Sequence, residues 1–487
     1  MQTITLAMSV DDIIGKVQDA VWGWPLIILI LAAGVWLTVR TGFVQVRHLG
    51  KALKFMVKNE DNGEGEVTSF GALCTALSAT IGTGNIVGVA TAICLGGPGA
   101  LLWMLLAAFF GMATKYSEGF LAIKYREKKD DSHYLGGPFY YIEKGMGSKW
   151  KWLAKLFAVF GICVGLFGIG TFTQINGIAT AVQDFFDPKS AHVAFTLFGN
   201  DYTWATVIGG LVVTLCVALV VLGGIQRIAK VSEVIVPFMA ITYVLFALII
   251  VLGHITAIPA AVKLICQSAF DPQAALGAAT GVTIKLAMQK GIGRGIFSNE
   301  AGLGSAPIAA AAAKTKDTVR QGLVTMTGTF IDTIVICTLT GLSIVVTGAQ
   351  NAFVAGSVEG VKITSRAWQT GLPWNGRFSA FVLMVCLAFF AFTTILGWNY
   401  YSERCLEYLV GSQKFTKVYR YVYILAVFIG PYLTVAAVWN IADICNGLMA
   451  FPNLVALFAL SGVVGKETRA YFAEKRHDLK AMAQDKK

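Results

Sequence analysis

Eleven windows along the 487-residue chain are long and apolar enough to cross a membrane as helices. Crossing a hydrocarbon core of about 30 Å takes about 20 mostly apolar residues. The windows are 22–40, 70–96, 98–123, 156–183, 203–224, 231–256, 275–297, 322–348, 376–401, 419–438 and 441–464. Only 14% of the residues are charged, against about 25% in a soluble domain. The sequence therefore predicts an all-α polytopic membrane protein and excludes a soluble or disordered one.

The basic residues predict how these windows are oriented in the membrane. Of the 39 Lys and Arg residues, 30 fall in alternate gaps and the C-terminal tail, and only six in the other gaps. Cytoplasmic loops carry the excess of Lys and Arg, so we expect the N-terminus outside and the C-terminus in the cytoplasm. The net charge of +11 is accounted for by this orientation and does not indicate nucleic-acid binding.

Without the first window, the other ten divide into two groups of five that insert in opposite directions. This pattern is typical of an inverted-topology repeat, whose substrate site lies near the midplane at interrupted helices. The predicted units are an N-terminal helix with a cytoplasmic loop (1–69), a first repeat (70–256), a second repeat (257–465) and a cytoplasmic tail (466–487).

The first window of each group is rich in glycine, and we expect both helices to break there. The two segments are Gly82-Thr83-Gly84-Asn85 and Gly291-Ile292-Gly293-Arg294-Gly295. Glycine inside a helix costs about 1 kcal/mol relative to alanine, so its repeated use at mid-span needs a reason. Freed amides could bind a carboxylate and freed carbonyls a cation, or the glycines could simply allow close helix packing. The residue types alone leave both interpretations open.

Polar residues deep in two other windows are candidates for the same site. Gln174 and Asn176 lie in the fourth window, and Thr393, Thr394 and Trp398 lie in the ninth. A buried amide needs a partner, which is either a neighbouring helix or a ligand. Adjacent hydroxyls suit an oxygen cage for sodium, but threonine also bonds back to its own helix.

Few charges fall within the windows. Asp332 lies near the middle of the eighth, where structural pairing with Lys285 is the first interpretation and cation or proton coupling the rival. Lys115 and Glu118 are expected to form an ion pair or to extend toward the inner surface. A membrane enzyme or a channel is the alternative class, but no catalytic, metal-ligating or pore-lining set recurs in the sequence.

Five segments resemble the alanine or glycine:cation symporter family of prokaryotic secondary transporters. They are GTGNIVGVATAICLGGPGALLWM, GMATKYSEGFLAIKYR, GGPFYYIEKG, RGIFSNEAGLGSAPIA and FAFTTILGWNYYSER, in the order found in that family. Phe139 and Ser402 depart from the residues common there. The resemblance implies a five-plus-five inverted repeat similar to the leucine transporter, with one extra N-terminal helix, in the prokaryotic inner membrane. It also implies symport of alanine or glycine with sodium into the cell.

The resemblance further implies roles for particular residues. Those expected to line the amino-acid pocket are Thr83, Gly84, Asn85, Gln174, Thr394 and Trp398. Those expected to hold sodium are Ser78 and Ile81, through carbonyls, together with Thr393 and Thr394. Carbonyls of the seventh window are expected to bind the substrate ammonium group. The sequence leaves open whether alanine or glycine is preferred and whether the D or the L form is selected. It also leaves open the stoichiometry and the oligomeric state.

Overall fold

The computed structural model describes residues 10–484 except 59–62, 131–132, 198–199, 273–281, 353–359 and 434. Helices dominate it. Those of the first half are α1 (Val10–Val21), α2 (Trp24–Arg40), α3 (Val44–Arg47), α4 (Leu49–Val57), α5 (Ser69–Thr80), α6 (Val89–Gly96), α7 (Gly99–Tyr125), α8 (Pro138–Tyr140), α9 (Lys151–Phe167), α10 (Phe172–Phe186), α11 (Trp204–Val221) and α12 (Gly224–Gly253).

The helices of the second half begin at Ile258. They are α13 (Ile258–Phe270), α14 (Ile284–Asn299), α15 (Ala306–Ala310), α16 (Thr318–Thr329), α17 (Thr338–Val346), α18 (Gly360–Gly371), α19 (Gly376–Val410), α20 (Thr416–Ile429) and α21 (Val435–Gln484). Wider π-helical turns occupy Gly84–Gly88, Tyr141–Gly145 and Phe330–Cys337. Short 3-10 turns occupy Ser148–Trp150, Ile255–Ala257, Ala349–Ala352, Gln413–Phe415 and Gly430–Tyr432.

Two small antiparallel hairpins, which the sequence did not predict, lie between helices. One pairs β1 (Glu127–Asp130) with β2 (His133–Leu135), and the other pairs β3 (Val193–Leu197) with β4 (Asn200–Thr203). Their strands have three to five residues each, too short to give a clear alternation of apolar and polar positions.

Within the described residues, seven helical segments are long and apolar enough to span a membrane, and the bent pair α5–α6 makes eight. The polytopic membrane prediction is therefore confirmed. The outer faces of α11 and α12 expose large apolar side chains that a bilayer would cover: Ile208, Leu215, Leu219, Val234, Phe238 and Ile241. The count of eleven spans and the inverted repeat stay predictions.

The first predicted break is confirmed. Helix α5 ends at Thr80, Ile81 has extended backbone, and the chain resumes as a π-helical turn at Gly84. The two helical pieces meet at an angle of 49°. Glycine is needed at position 82, where a Cβ atom would lie 2.5 Å from the Thr394 Oγ1 atom.

The second break was predicted in the wrong place. Helix α14 runs unbroken through Gly291–Gly295 and ends at Asn299. A Cβ atom on Gly291 would lie 2.1 Å from the carbonyl oxygen of Ala100, so this glycine serves close packing against α7. The break falls at 300–305, where Glu300, Gly302 and Gly304 all have positive φ angles.

Two further windows differ in detail from the observed helices. The window 156–183 falls within one apolar span, Ser148–Phe186, in which α9 ends at Phe167 and α10 begins at Phe172. The last window, 441–464, is part of α21, which begins at Val435 and continues to Gln484. The interruption before α10 matters for the site, because Gln174 lies in the first turn after it.

Candidate functional site at two helix breaks

Gln174 lies directly against the first break. Its Oε1 atom accepts a hydrogen bond of 3.0 Å from the backbone N–H of Thr83, and its Nε2 atom donates to the Ile169 carbonyl at 2.9 Å. The side chain is buried. The amide that the sequence placed at membrane depth therefore has its partner in the backbone freed by the break.

Asn85 connects the first break to another part of the protein. Its Oδ1 atom accepts from the Gly82 N–H at 2.9 Å, which holds the turn together. Its Nδ2 atom donates to the Asp332 carboxylate at 2.7 Å. Both ends of the Asn85 amide are thus used, one for the break and one for the π-helical segment Phe330–Cys337.

Asp332 has hydroxyl and amide partners, and the prediction of Lys285 as its counter-ion was wrong. Ser298 donates to its carboxylate at 2.9 Å and Thr333 at 2.6 Å, in addition to Asn85. Lys285 is exposed near the start of α14. Ser298 lies two residues before Glu300, and its Cα atom would lie 3.0 Å from a Cβ atom on Gly84. The two breaks therefore approach each other here.

The four residues expected to hold sodium are all buried, but only two of them meet. The Thr394 hydroxyl donates to the Ile81 carbonyl at 3.3 Å and to its own helix at Phe390, 3.0 Å away. The Thr393 and Ser78 hydroxyls donate to carbonyls within their own helices, at Phe389 and Thr75. Two oxygen atoms, from Ile81 and Thr394, thus converge beside the first break, and they are of the kind that sodium prefers.

Trp398 is joined to a residue that the sequence analysis missed. Its indole N–H donates to the Oε1 atom of Glu300 at 2.7 Å, and both side chains are buried. Glu300 begins the second break. The signal was present in the segment Glu300-Ala301-Gly302-Leu303-Gly304, in which closely spaced glycines precede Ser305 and Pro307.

Glu118 binds the backbone of the second break and does not form the ion pair with Lys115 that was one of the two predictions; the other, extension toward the inner surface, stays a prediction. The Glu118 Oε1 atom accepts from the N–H groups of Gly302 at 3.1 Å and Gly304 at 3.2 Å. The Asn453 amide also donates to this atom at 2.7 Å. Lys115 is buried, and no ion pair between it and Glu118 forms within 4.0 Å among the described residues.

A cavity of about 220 Å³ lies beside the first break. Its lining includes Val87 of the π-helical turn, Asn176 and Gly177 of α10, and Trp439 of α21. A Cβ atom on Gly177 would lie 2.7 Å from the Thr83 side chain, so this cavity borders the break itself. Its volume is below the range of about 300–1,000 Å³ for drug-sized ligands, so it suits a small molecule.

Asn176, at the wall of this cavity, takes the interhelical role that the sequence analysis considered for it. Its Nδ2 atom donates to the carbonyl oxygen of Leu433 at 3.1 Å. Its neighbour two residues earlier, Gln174, faces the break instead.

Interrupted helices in contact with each other are typical of secondary transporters. The family and the relatives reported below place the chain in this class of non-enzymatic membrane proteins. The fold matches the crystal structure of MhsT in complex with L-phenylalanine, with a TM-score of 0.56 over 84% of this chain and 99% of that one. At 12% identity this match carries the fold alone, which is similar to that of the leucine transporter.

The chain belongs to the sodium:alanine symporter family, whose model matches residues 7–486. An uncharacterized transporter of Haemophilus influenzae is 52% identical over 96% of this chain and 97% of its own. The sodium/alanine symporter AgcS of Methanococcus maripaludis is 45% identical over 97% of this chain and its full length. The probable sodium/glutamine symporter GlnT of Bacillus subtilis is 34% identical over 96% of this chain and 91% of its own. The resemblance stated from the motifs is therefore confirmed.

Proposed function

We propose that the protein is a sodium-coupled symporter that carries alanine or glycine into the cell by alternating access. The observation that carries this proposal is the first break, where the Thr83 amide and the Ile81 carbonyl leave the helix and meet Gln174 and Thr394. A relative 45% identical over nearly the whole chain is named a sodium/alanine symporter, which supports this substrate.

The substrate carboxylate would bind the N–H groups of Thr83, Gly84 and Asn85. The Gln174 amide oxygen, which accepts from the Thr83 N–H, occupies a position that a carboxylate oxygen could take in its place. Gln174 could then turn its own Nε2 group toward that carboxylate. A bound carboxylate next to freed backbone amides is the arrangement expected of an interrupted transporter helix.

Selection for a small side chain would come from the close packing around the break. Trp398 and Thr394 lie on α19 one helical turn apart, and a Cβ atom on Gly82 already has no room beside Thr394. A pocket that fits one methyl group would accept glycine with a modest loss, because a buried methylene is worth about 0.8 kcal/mol. Larger side chains would clash with this wall.

Sodium, as the second substrate, would bind beside the first break. The Ile81 carbonyl and the Thr394 hydroxyl are the two oxygen atoms that already converge there. The Thr393 hydroxyl and a carbonyl near Ser78 would complete the set after the hydroxyls turn away from their own helices. Each sodium ion that moves inward gains about 2.3 kcal/mol per 100 mV of membrane potential, which can drive accumulation.

The transport cycle follows from the proposed topology. Eleven spans would place the N-terminus and the β3–β4 hairpin outside, and the β1–β2 hairpin and the end of α21 in the cytoplasm. The two five-helix repeats, 70–256 and 257–465, would rock against each other around the two breaks. The proposed location is the prokaryotic inner membrane.

Uptake of radiolabelled alanine by proteoliposomes containing the purified protein tests the proposal. We expect accumulation when sodium is high outside, and only equilibration when sodium is equal on both sides. Accumulation that is equal under the two conditions would contradict sodium coupling. Accelerated exchange against unlabelled alanine inside would separate this carrier from a channel, which shows no counterflow.

A further inference from the structure

The end of α2 lies beside the middle of α21. The Trp36 indole donates to the Ser461 hydroxyl at 2.9 Å. A Cβ atom on Gly465 would lie 2.7 Å from the carbonyl oxygen of Arg40, whose guanidinium is stacked over the Trp36 ring at 5.1 Å. Tryptophan and arginine at the end of an apolar helix are typical of the interface between hydrocarbon and lipid headgroups. The segments that directly follow these two places, α4 and the last part of α21, therefore lie close to headgroup depth.

Helix α4 and the last part of α21 bring two lysines together over aromatic rings. The His48 ring is stacked on the Phe472 ring with 3.6 Å between their centroids. The Lys51 Nζ atom lies 5.1 Å from the centroid of the same Phe472 ring. On α21, the Lys475 Nζ atom lies 4.5 Å from the centroid of the Tyr471 ring. These residues form what we call the Lys51–Lys475 patch.

The two lysines of the patch have no acidic partner within 4.0 Å among the described residues. Residues 40–58 contain five Lys and Arg residues and no Asp or Glu. On α21, Glu467 is bound to a lysine of α7 at 2.6 Å, and Glu474 is exposed. Partial burial and the positive charge of Lys475 both lower the pKa of Lys51. Like charges that are held this close together are stabilised by a bound anion.

The apolar side chains next to the patch favour a lipid over a soluble anion. Val39, in the last turn of α2, is 59% exposed. Phe43 and Val46, which follow it and precede α4, are 45% and 60% exposed. A soluble phosphate would leave this surface uncovered, whereas the acyl chains of a phospholipid would cover it. Basic side chains beside such a surface attract anionic headgroups.

We propose that an anionic phospholipid binds at the Lys51–Lys475 patch, with its phosphate group at the two lysines and its acyl chains against the apolar residues that precede α4. The lipid would then hold α4 against α21. The Thr468 hydroxyl of α21 bonds the Tyr116 hydroxyl of α7 at 2.8 Å, so the same part of α21 is also attached to the helix that carries Glu118. The proposal goes beyond transport and does not depend on which solute is carried.

Native mass spectrometry of the full-length protein in an uncharged detergent tests the proposal. Phosphatidylglycerol and phosphatidylcholine with the same acyl chains are titrated separately, and the bound fraction gives an apparent Kd for each lipid. We expect the wild type to bind phosphatidylglycerol more tightly, because the choline ammonium group is repelled by the lysines. In Lys51→Gln/Lys475→Gln the affinity for phosphatidylglycerol should fall about 25-fold, which corresponds to about fivefold for each lysine removed.

Lys149→Gln/Lys155→Gln is the matched control, because both of these lysines are exposed and lie at the start of α9, outside the patch. Its affinity for phosphatidylglycerol should equal that of the wild type. An equal affinity in Lys51→Gln/Lys475→Gln would overturn the proposal. Equal binding of the two lipids by the wild type would do the same, and this comparison needs no variant to fold. If inorganic phosphate displaced phosphatidylglycerol at a similar concentration, the patch would be a site for a soluble anion and the lipid proposal would fail.

Discussion

Single polar side chains connect the interrupted backbone to the rest of the protein. Gln174 and Asn85 each use both ends of an amide, and each has one partner in the freed backbone of 82–83. Backbone N–H groups inside the bilayer have no water as a hydrogen-bond partner, so the geometry of the break depends on these two side chains. Glu118 does the same for the second break through Gly302 and Gly304.

Removal of the Gln174 amide should weaken substrate binding. In Gln174→Ala the substrate carboxylate loses the Nε2 donor proposed for it, a hydrogen bond to a charged group worth about 1.5–3 kcal/mol, so the KM for alanine should rise by about tenfold or more. Concentration-dependent uptake in proteoliposomes measures this. Gln183→Ala is the control, because Gln183 lies near the C-terminal end of the same helix, where its amide donates to Ser190, and this variant should keep the wild-type KM. Equal KM values in the two variants would remove Gln174 from the site.

Glycine has two different uses in the helices of this protein. In α14 it allows contact with α7, whereas at 302 and 304 it permits the positive φ angles of the break that follows the helix. The same residue type at similar spacing therefore gives an unbroken helix in one place and a break in the next. The neighbouring backbone distinguishes the two uses. At Gly291 the backbone of Ala100 comes so close that no Cβ atom would fit.

Alanine substitutions in α14 should distinguish glycines that are needed for helix contact from glycines that have room for a side chain. Gly291→Ala places a Cβ atom 2.1 Å from the Ala100 carbonyl oxygen. Overpacking of this kind costs about 1–3 kcal/mol, so the melting temperature in detergent should fall. Gly293→Ala has its nearest neighbour, the Trp22 ring, at 3.8 Å and should be at least as stable as the wild type. A Gly291→Ala protein that melts with the wild type would show that α7 and α14 do not pack this closely.

At the largest scale, one face of the protein is held together by a strap. Residues 63–67 run beside 312–315, and Arg126 donates to the carbonyls of Glu64, Ala311, Ala313 and Thr315. Glu66 of this strap also binds Arg404 at the end of α19. The strap leads directly into α5. It therefore links the first broken helix to the β1–β2 hairpin and to α19 on that face.

The strap should weaken at high pH. Burial opposes a charge on His133, but hydrogen bonds to Glu407 and Glu66 outweigh it and raise the pKa of His133 from 6.5 to about 9. The folded protein thus holds this proton more tightly than the unfolded chain. The stabilisation is complete below about pH 6.5 and is lost as the pH rises through about 9.

Melting temperatures in detergent between pH 7 and pH 10 measure this effect. The wild type should lose stability over that range by more than His133→Gln, which has no proton to lose. His192→Gln is the control, because His192 is exposed and lies directly before strand β3 of the other hairpin. Parallel pH profiles for wild type and His133→Gln would contradict the assignment.

The sequence by itself determined what depends on local chemistry. Apolar length predicted membrane helices, and the polar Gln174 and the Gly82–Asn85 segment indicated an interrupted centre, because lipid leaves such groups no other partner. The tertiary structure decided the position of the second break, the hydroxyl and amide partners of Asp332, and the binding of Glu118 to the Gly302 and Gly304 amides. These depend on which backbone comes within about 3 Å of which side chain, and contacts between distant segments leave no periodic signal along the chain.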